Sequence, residues 1–149
     1  MREKLMDALK VAMKAKESAK ISTIRMVQAA IKDLEIANRT KPNPETTDAD
    51  IALLLAKLVK QREESAKIYD EGDRPELAAK EREEIAIISE FMPKQLSEAE
   101  VTEILKGIIA ETGAASIKDM GKVMAVLKER YPGQLDFGKA SGQIKALLS

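Results

Sequence analysis

Lys118, Lys122, Lys128, Arg130, Lys139 and Lys145 are the residues near the C-terminus whose type suits a chemical task. Lysine and arginine neutralise phosphates and release counterions without demanding a sequence-specific geometry. Lys118 and Lys122 are four apart, which on an α-helix puts them on one face. Ser116 and Asp136 mark expected helix N-termini, where free N–H groups can also meet phosphate. Against this stands ordinary solvated surface, which lysine takes by default. From spacing alone the solvated surface is the stronger reading, because residues 94–149 hold 8 Lys/Arg against 7 Asp/Glu, net +1.

A denser basic set lies near the start: Lys10, Lys14, Lys16, Lys20, Arg25 and Lys32. Residues 1–41 hold 10 Lys/Arg against 5 Asp/Glu, net +5, and residues 42–93 hold 7 against 13, net −6. Adjacent segments of opposite sign invite pairing within one fold, so these cations are expected to be compensated by the acids that follow. The acids Glu63, Glu64, Asp70, Glu71, Asp73, Glu81, Glu83 and Glu84 do not make a metal site: Asp70-Glu71-Gly72-Asp73 lacks the order of a calcium-binding loop. They read as a solvated helix face.

Other chemistries are removed by composition. The 149 residues contain neither cysteine nor histidine. Disulfides, thiolate metal sites, Cys nucleophiles and His-dependent triads are therefore excluded. No phosphate-binding GxxxxGK[ST] loop or GxGxxG occurs. Ser97 and Ser116 fit helix N-caps, and neither has a histidine or a GxSxG frame to activate it. Aromatic residues make up 3% with no Trp, too few for a base-stacking platform. The expectation is no catalytic residue, no metal and no cofactor.

Periodicity supplies the elements that would hold these residues. Leu5, Leu9, Ala12 and Met13 share one face of a helix over roughly 2–16, and Ile24, Val27, Ile31 and Leu34 line a second over 20–38. RTKPNPET, residues 39–46, is a loop. Thr47 and Asp50 open a third helix with Ile51, Leu54, Leu55, Leu58 and Tyr69 on its buried side, stopped by Gly72. A fourth carries Leu77, Ile85, Ile88 and Phe91 and ends at Pro93. The short connection at Gly72–Arg74 makes helices three and four an antiparallel hairpin.

Ser97 and Glu100 form a capping box ahead of Val101, Ile104, Leu105, Ile108 and Ile109, with Gly113 as the stop. Ser116 and Asp119 open a sixth helix with Ile117, Met120, Met124 and Leu127 inward, and Asp136 caps a seventh with Phe137, Ile144, Leu147 and Leu148. The spacing predicts an all-α fold: an N-terminal four-helix part over 1–93 with a long hairpin, then a compact three-helix part over 94–149. Gly121 and Gly142 sit inside predicted helices, at a cost of about 1 kcal/mol each relative to Ala, which a close helix crossing would explain. No apolar run reaches a membrane span. Glu3, Asp7 and Glu17 argue against a mitochondrial leader, so a cytoplasmic chain is expected, and single apolar stripes favour a monomer.

KQREESAKIYDEGDRPELAAKEREEIAIISEFMPKQLSEAEV, residues 60–101, resembles the GatB/YqeY family, as do IKDMGKVMAVLK at 117–128 and DFGKASGQIKALL at 136–148. Order and spacing hold across essentially the whole chain. The resemblance implies a helical fold akin to the C-terminal tail of the B subunit of the tRNA-dependent amidotransferase, which forms Gln-tRNA or Asn-tRNA from the misacylated acid form. In that enzyme the tail grips the tRNA body and catalysis resides elsewhere. The resemblance therefore implies a non-catalytic module that binds tRNA or a tRNA-linked complex, with the six C-terminal cations as the nucleic-acid-contacting set. It brings the phosphate reading of those cations level with plain surface. Any carbon–nitrogen ligase activity with glutamine as amide donor would belong to the larger complex. Ala125 stands where the tails commonly carry Gly, and Gln134 where they carry Arg, one phosphate contact fewer. The alternative is a protein-interaction adaptor without RNA affinity.

Overall fold

The computed structural model describes residues 1–148. Among them are seven α-helices, one 3₁₀ turn and no strand: α1 (Arg2–Ala15), α2 (Ser18–Asn38), α3 (Asp48–Glu71), α4 (Pro75–Ser89), α5 (Glu98–Thr112), the 3₁₀ turn Ile117–Asp119, α6 (Met120–Arg130) and α7 (Phe137–Leu148). The fold is all-α. Packing divides the chain into two compact units, Met1–Met92 and the residues from Pro93 onward.

In the first unit, Leu5 and Leu9 of α1, Ile24, Val27 and Ile31 of α2, Ile51 and Leu55 of α3, and Ile87 and Ile88 of α4 close around Phe91. Each large aliphatic side chain removed from water there contributes about 1.5–3 kcal/mol. α1 ends with Lys16 in the left-handed region (φ 57), its N–H reaching back to Ala12 and Met13, so α2 starts at once. The loop after α2 is closed by a buried pair, Asn38 Nδ2 donating to Thr46 Oγ1 at 2.9 Å. Thr47 and Asp50 cap α3 reciprocally. Asp73 (φ 56) turns the chain between α3 and α4. Two ion pairs then cross-link these helices in antiparallel order, Arg62 with Glu84 at 2.9 Å and Asp70 with Arg82.

In the second unit, Val101, Leu105 and Ile108 of α5, Val123 and Leu127 of α6, and Ala140 and Ile144 of α7 pack with Leu135. Gly113 (φ 68) gives α5 its left-handed stop.

Several expectations need correction. Met13 is 50% exposed and lies on the shoulder of α1 rather than in its core face. Ile117, expected inward, is 46% exposed because the chain enters α6 through a 3₁₀ turn. Leu147 is likewise exposed. Gly121 and Gly142 do not mark close crossings: a Cβ at either would meet no atom within 4 Å.

Candidate functional site

All six expected phosphate-contacting side chains are solvent-exposed. They are distributed over the 3₁₀ turn, α6 and α7. Lys118 belongs to the 3₁₀ turn, so the α-helical spacing that would align it with Lys122 does not apply. Lys122 and Lys128 are six residues apart on α6, as are Lys139 and Lys145 on α7. At about 100° per residue each pair straddles its helix instead of sharing a side.

Their surroundings differ in ways that matter more. Arg130 is engaged by Glu111 of α5, with Nη1 and Nη2 at 2.8 and 2.6 Å from the two carboxylate oxygens. That pairing holds the Glu111 carboxyl below the usual carboxylate range. Lys128 Nζ sits 5.9 Å from the centroid of the Phe137 ring. Lys122 faces a charge of opposite sign: Asp119 accepts from the N–H groups of Ala115 (2.9 Å) and Ser116 (3.4 Å), and these bonds, with a smaller contribution from Lys122, keep it ionised to lower pH than usual. Lys139 stands on the rim of an open groove of about 690 Å³, lined by Leu96, Val101, Leu135, Gly142, Gln143 and Ala146 among others. Among the described residues, Lys118, Lys122, Lys139 and Lys145 take part in no ion pair.

The N-terminal cations are arranged otherwise than their charge balance suggests. Lys20 pairs with Glu90 at 3.3 Å. Lys10, Lys14, Lys16, Arg25 and Lys32 are exposed, and among the described residues no acid pairs with them. The expected neutralisation by residues 42–93 is thus confined to Lys20 and to the α-amino group of Met1 near Asp48 (3.8 Å). Within residues 42–93, Glu84 and Asp70 pair instead with Arg62 and Arg82 inside the α3–α4 hairpin.

Ser97 acts as a cap, its Oγ accepting from Glu100 N at 3.1 Å while the Glu100 carboxylate accepts from Ser97 N at 3.3 Å. Ser116 occupies the N-cap position of the 3₁₀ turn. Among the described residues no three acidic side chains converge as a metal site would require.

One residue that sequence reasoning passed over organises the second unit. Gln95 Nε2 donates to the carbonyls of Pro93 (2.9 Å) and Gly133 (2.8 Å), and Leu96 N donates to the carbonyl of Gln134 at 2.8 Å. The strap before α5 is so tied to the loop before α7. The signal was present in the Pro93-Lys94-Gln95-Leu96 motif, where a lone amide beside a proline has backbone groups to satisfy. The same bonds place Gln134 by its backbone, whichever side chain it carries.

The geometry defines an all-helical protein of two compact units. The family model described as Yqey-like protein matches residues 2–148, and the chain belongs to that family. An uncharacterised protein of Schizosaccharomyces pombe is 30% identical over 96 residues, 64% of this chain and 72% of the relative. A protein of Pyrenophora tritici-repentis named altered inheritance of mitochondria protein 41, mitochondrial, is 30% identical over 128 residues, 82% of this chain and 68% of its own. The Eremothecium gossypii protein of the same name is 40% identical over 84 residues, 56% of this chain and 44% of its own length. These names overturn the cytoplasmic expectation: curated relatives of this chain are mitochondrial proteins, and the acids near its N-terminus do not decide its compartment.

Proposed function

We propose that the chain is a non-catalytic helical module that binds tRNA, or a complex that carries it, through α5–α7, as an accessory to amide aminoacyl-tRNA formation. The observation that supports this reading is the state of Lys118, Lys122, Lys139 and Lys145: exposed and, among the described residues, not committed to any ion pair, they are available to phosphate. Arg130 is not counted with them, because Glu111 already holds it. The small number of free cations and the absence of Trp make backbone contact, not base reading, the mode of binding.

Fluorescence anisotropy of labelled tRNA across a salt series tests it, with the Lys122→Ala/Lys139→Ala/Lys145→Ala variant alongside. Micromolar binding is expected, with log K falling by about 0.7–0.9 per phosphate contact for each decade of salt, and a shallower slope in the variant. No binding at low salt overturns the proposal. The second reading, a protein-interaction adaptor, is favoured by the unpaired cations on α1 and α2.

A further inference from the structure

The α1–α2 pair carries two parallel ridges with a groove between them. Arg2 bonds Glu35 through Nε (3.0 Å) and Nη2 (2.8 Å), fixing the start of α1 against the end of α2. Leu5, Met6, Gln28, Ile31 and Lys32 line the open groove there, about 240 Å³ in volume, together with Arg2 and Glu35 themselves. Buried Leu5 and Ile31 form its floor. On α1 the spacing of Met6, Lys10 and Met13 makes one ridge, and on α2 that of Arg25, Gln28 and Lys32 makes the other. Each ridge spans seven residue steps, or about 10 Å, two helical turns.

Both ridges are open. Met6 is 47% and Met13 50% exposed. Lys10, Arg25 and Lys32 are exposed and, among the described residues, paired with no acid. Two exposed thioethers beside three cations that no acid pairs among the described residues offer apolar contact and positive charge side by side. RNA would use the cations and leave the methionines idle, since no aromatic ring stands here for a base to stack on. A helix with an apolar stripe and acidic flanks would use both, with its apolar side chains on the thioethers and its carboxylates at Lys10, Arg25 and Lys32.

We infer that the α1–α2 groove is a docking site for an acidic amphipathic helix of a protein partner. This inference is independent of RNA binding by α5–α7. The test uses the full chain and a fluorescent synthetic peptide of about four turns, with leucine at i, i+3 and i+7 and glutamate on its other faces. A shuffled peptide of the same composition, lacking the stripe, and polyuridylate serve as competing probes. Micromolar binding of the striped peptide is expected, weakened about tenfold by shuffling, by Met6→Ser/Met13→Ser and by Arg25→Glu/Lys32→Glu. Met6→Leu/Met13→Leu keeps the apolar ridge and retains binding, which separates loss of contact from loss of folding. The Lys122→Ala/Lys139→Ala/Lys145→Ala variant binds the peptide like the parent. Equal binding of striped and shuffled peptides overturns the inference, because charge alone would then suffice. So does absence of binding, or displacement by polyuridylate that the methionine changes leave untouched.

Discussion

Arg130, in the last turn of α6, is held in a two-pronged pair by Glu111 near the end of α5. A guanidinium so engaged offers little charge to an incoming phosphate, because the carboxylate cancels it at close range. Glu111→Gln is therefore expected to raise RNA affinity severalfold and to steepen the salt slope by about one contact. Removing both charges in Glu111→Gln/Arg130→Gln should leave affinity nearly unchanged. Anisotropy titrations at several salt concentrations check both, and a large loss in the double variant would return Arg130 to the contacting set.

Gln95 connects two segments that are distant in sequence. Replacing it with Ala removes the donor to the Pro93 and Gly133 carbonyls. A cost of about 0.5–1.5 kcal/mol to the second unit is expected from urea unfolding. Hydrogen exchange supplies the spatial readout: the Leu96 amide, bonded to the Gln134 carbonyl, should lose protection, while amides of α1–α4 keep theirs. Uniform loss across both units would show that Gln95 acts on more than its own strap.

Much of this was legible from the residues, and the gaps have physical causes. The reciprocal caps at Thr47/Asp50 and Ser97/Glu100 follow from local rules, because donor and acceptor are three residues apart. The interior stripes of α2, α3 and α5 were readable because helix period alone decides which side is buried. What escaped was non-local. Nothing in the spacing shows that Glu111 reaches Arg130, nineteen positions on, or that Lys10 and Arg25 pair with no acid among the described residues although thirteen follow in residues 42–93. Charge balance along a chain does not determine which side of a bundle each charge occupies. Ile117 went astray for a smaller reason: a 3₁₀ turn advances the chain by three residues per turn, so a stripe read at 3.6 slips at the join.

Stability should fall on the acid side. Four carboxyls sit below their ordinary range: Asp70 through Arg82, Glu100 and Asp119 through backbone N–H groups, and Glu111 through Arg130. With each folded-state value depressed, the unfolded chain takes up protons first as pH drops. The stabilisation is thus present above the unfolded carboxylate range, about pH 4, and disappears as pH falls through the folded values. Asp70, Glu100 and Glu111 are exposed and Asp119 is half-buried, so salt screening keeps the effect modest. The urea midpoint should be steady from about pH 8 to about pH 5, with no histidine to titrate between, and fall below about pH 4. Asp119→Asn should lessen that fall. A midpoint that rises on acidification would contradict the assignment.

Gly121 and Gly142 give the sharpest contrast between spacing and structure. Each lies inside a helix, and an added Cβ would meet nothing within 4 Å. Gly121→Ala and Gly142→Ala are each expected to stabilise the protein by about 0.5–1 kcal/mol, since alanine restricts the unfolded chain and clashes with nothing here. Gly113 is the control: at φ 68 an alanine is strained, and Gly113→Ala should destabilise by about 1 kcal/mol although space is open there too. Thermal and urea unfolding of the three variants checks the signs. Gly142 carries a second consequence, because it lines the groove beside Lys139. If RNA touches this unit only through lysine side chains, Gly142→Ala gains stability and keeps its affinity. A variant more stable than the parent yet weaker in binding would mean that the ligand comes within van der Waals distance of the α7 backbone, and the groove itself would then belong to the interface.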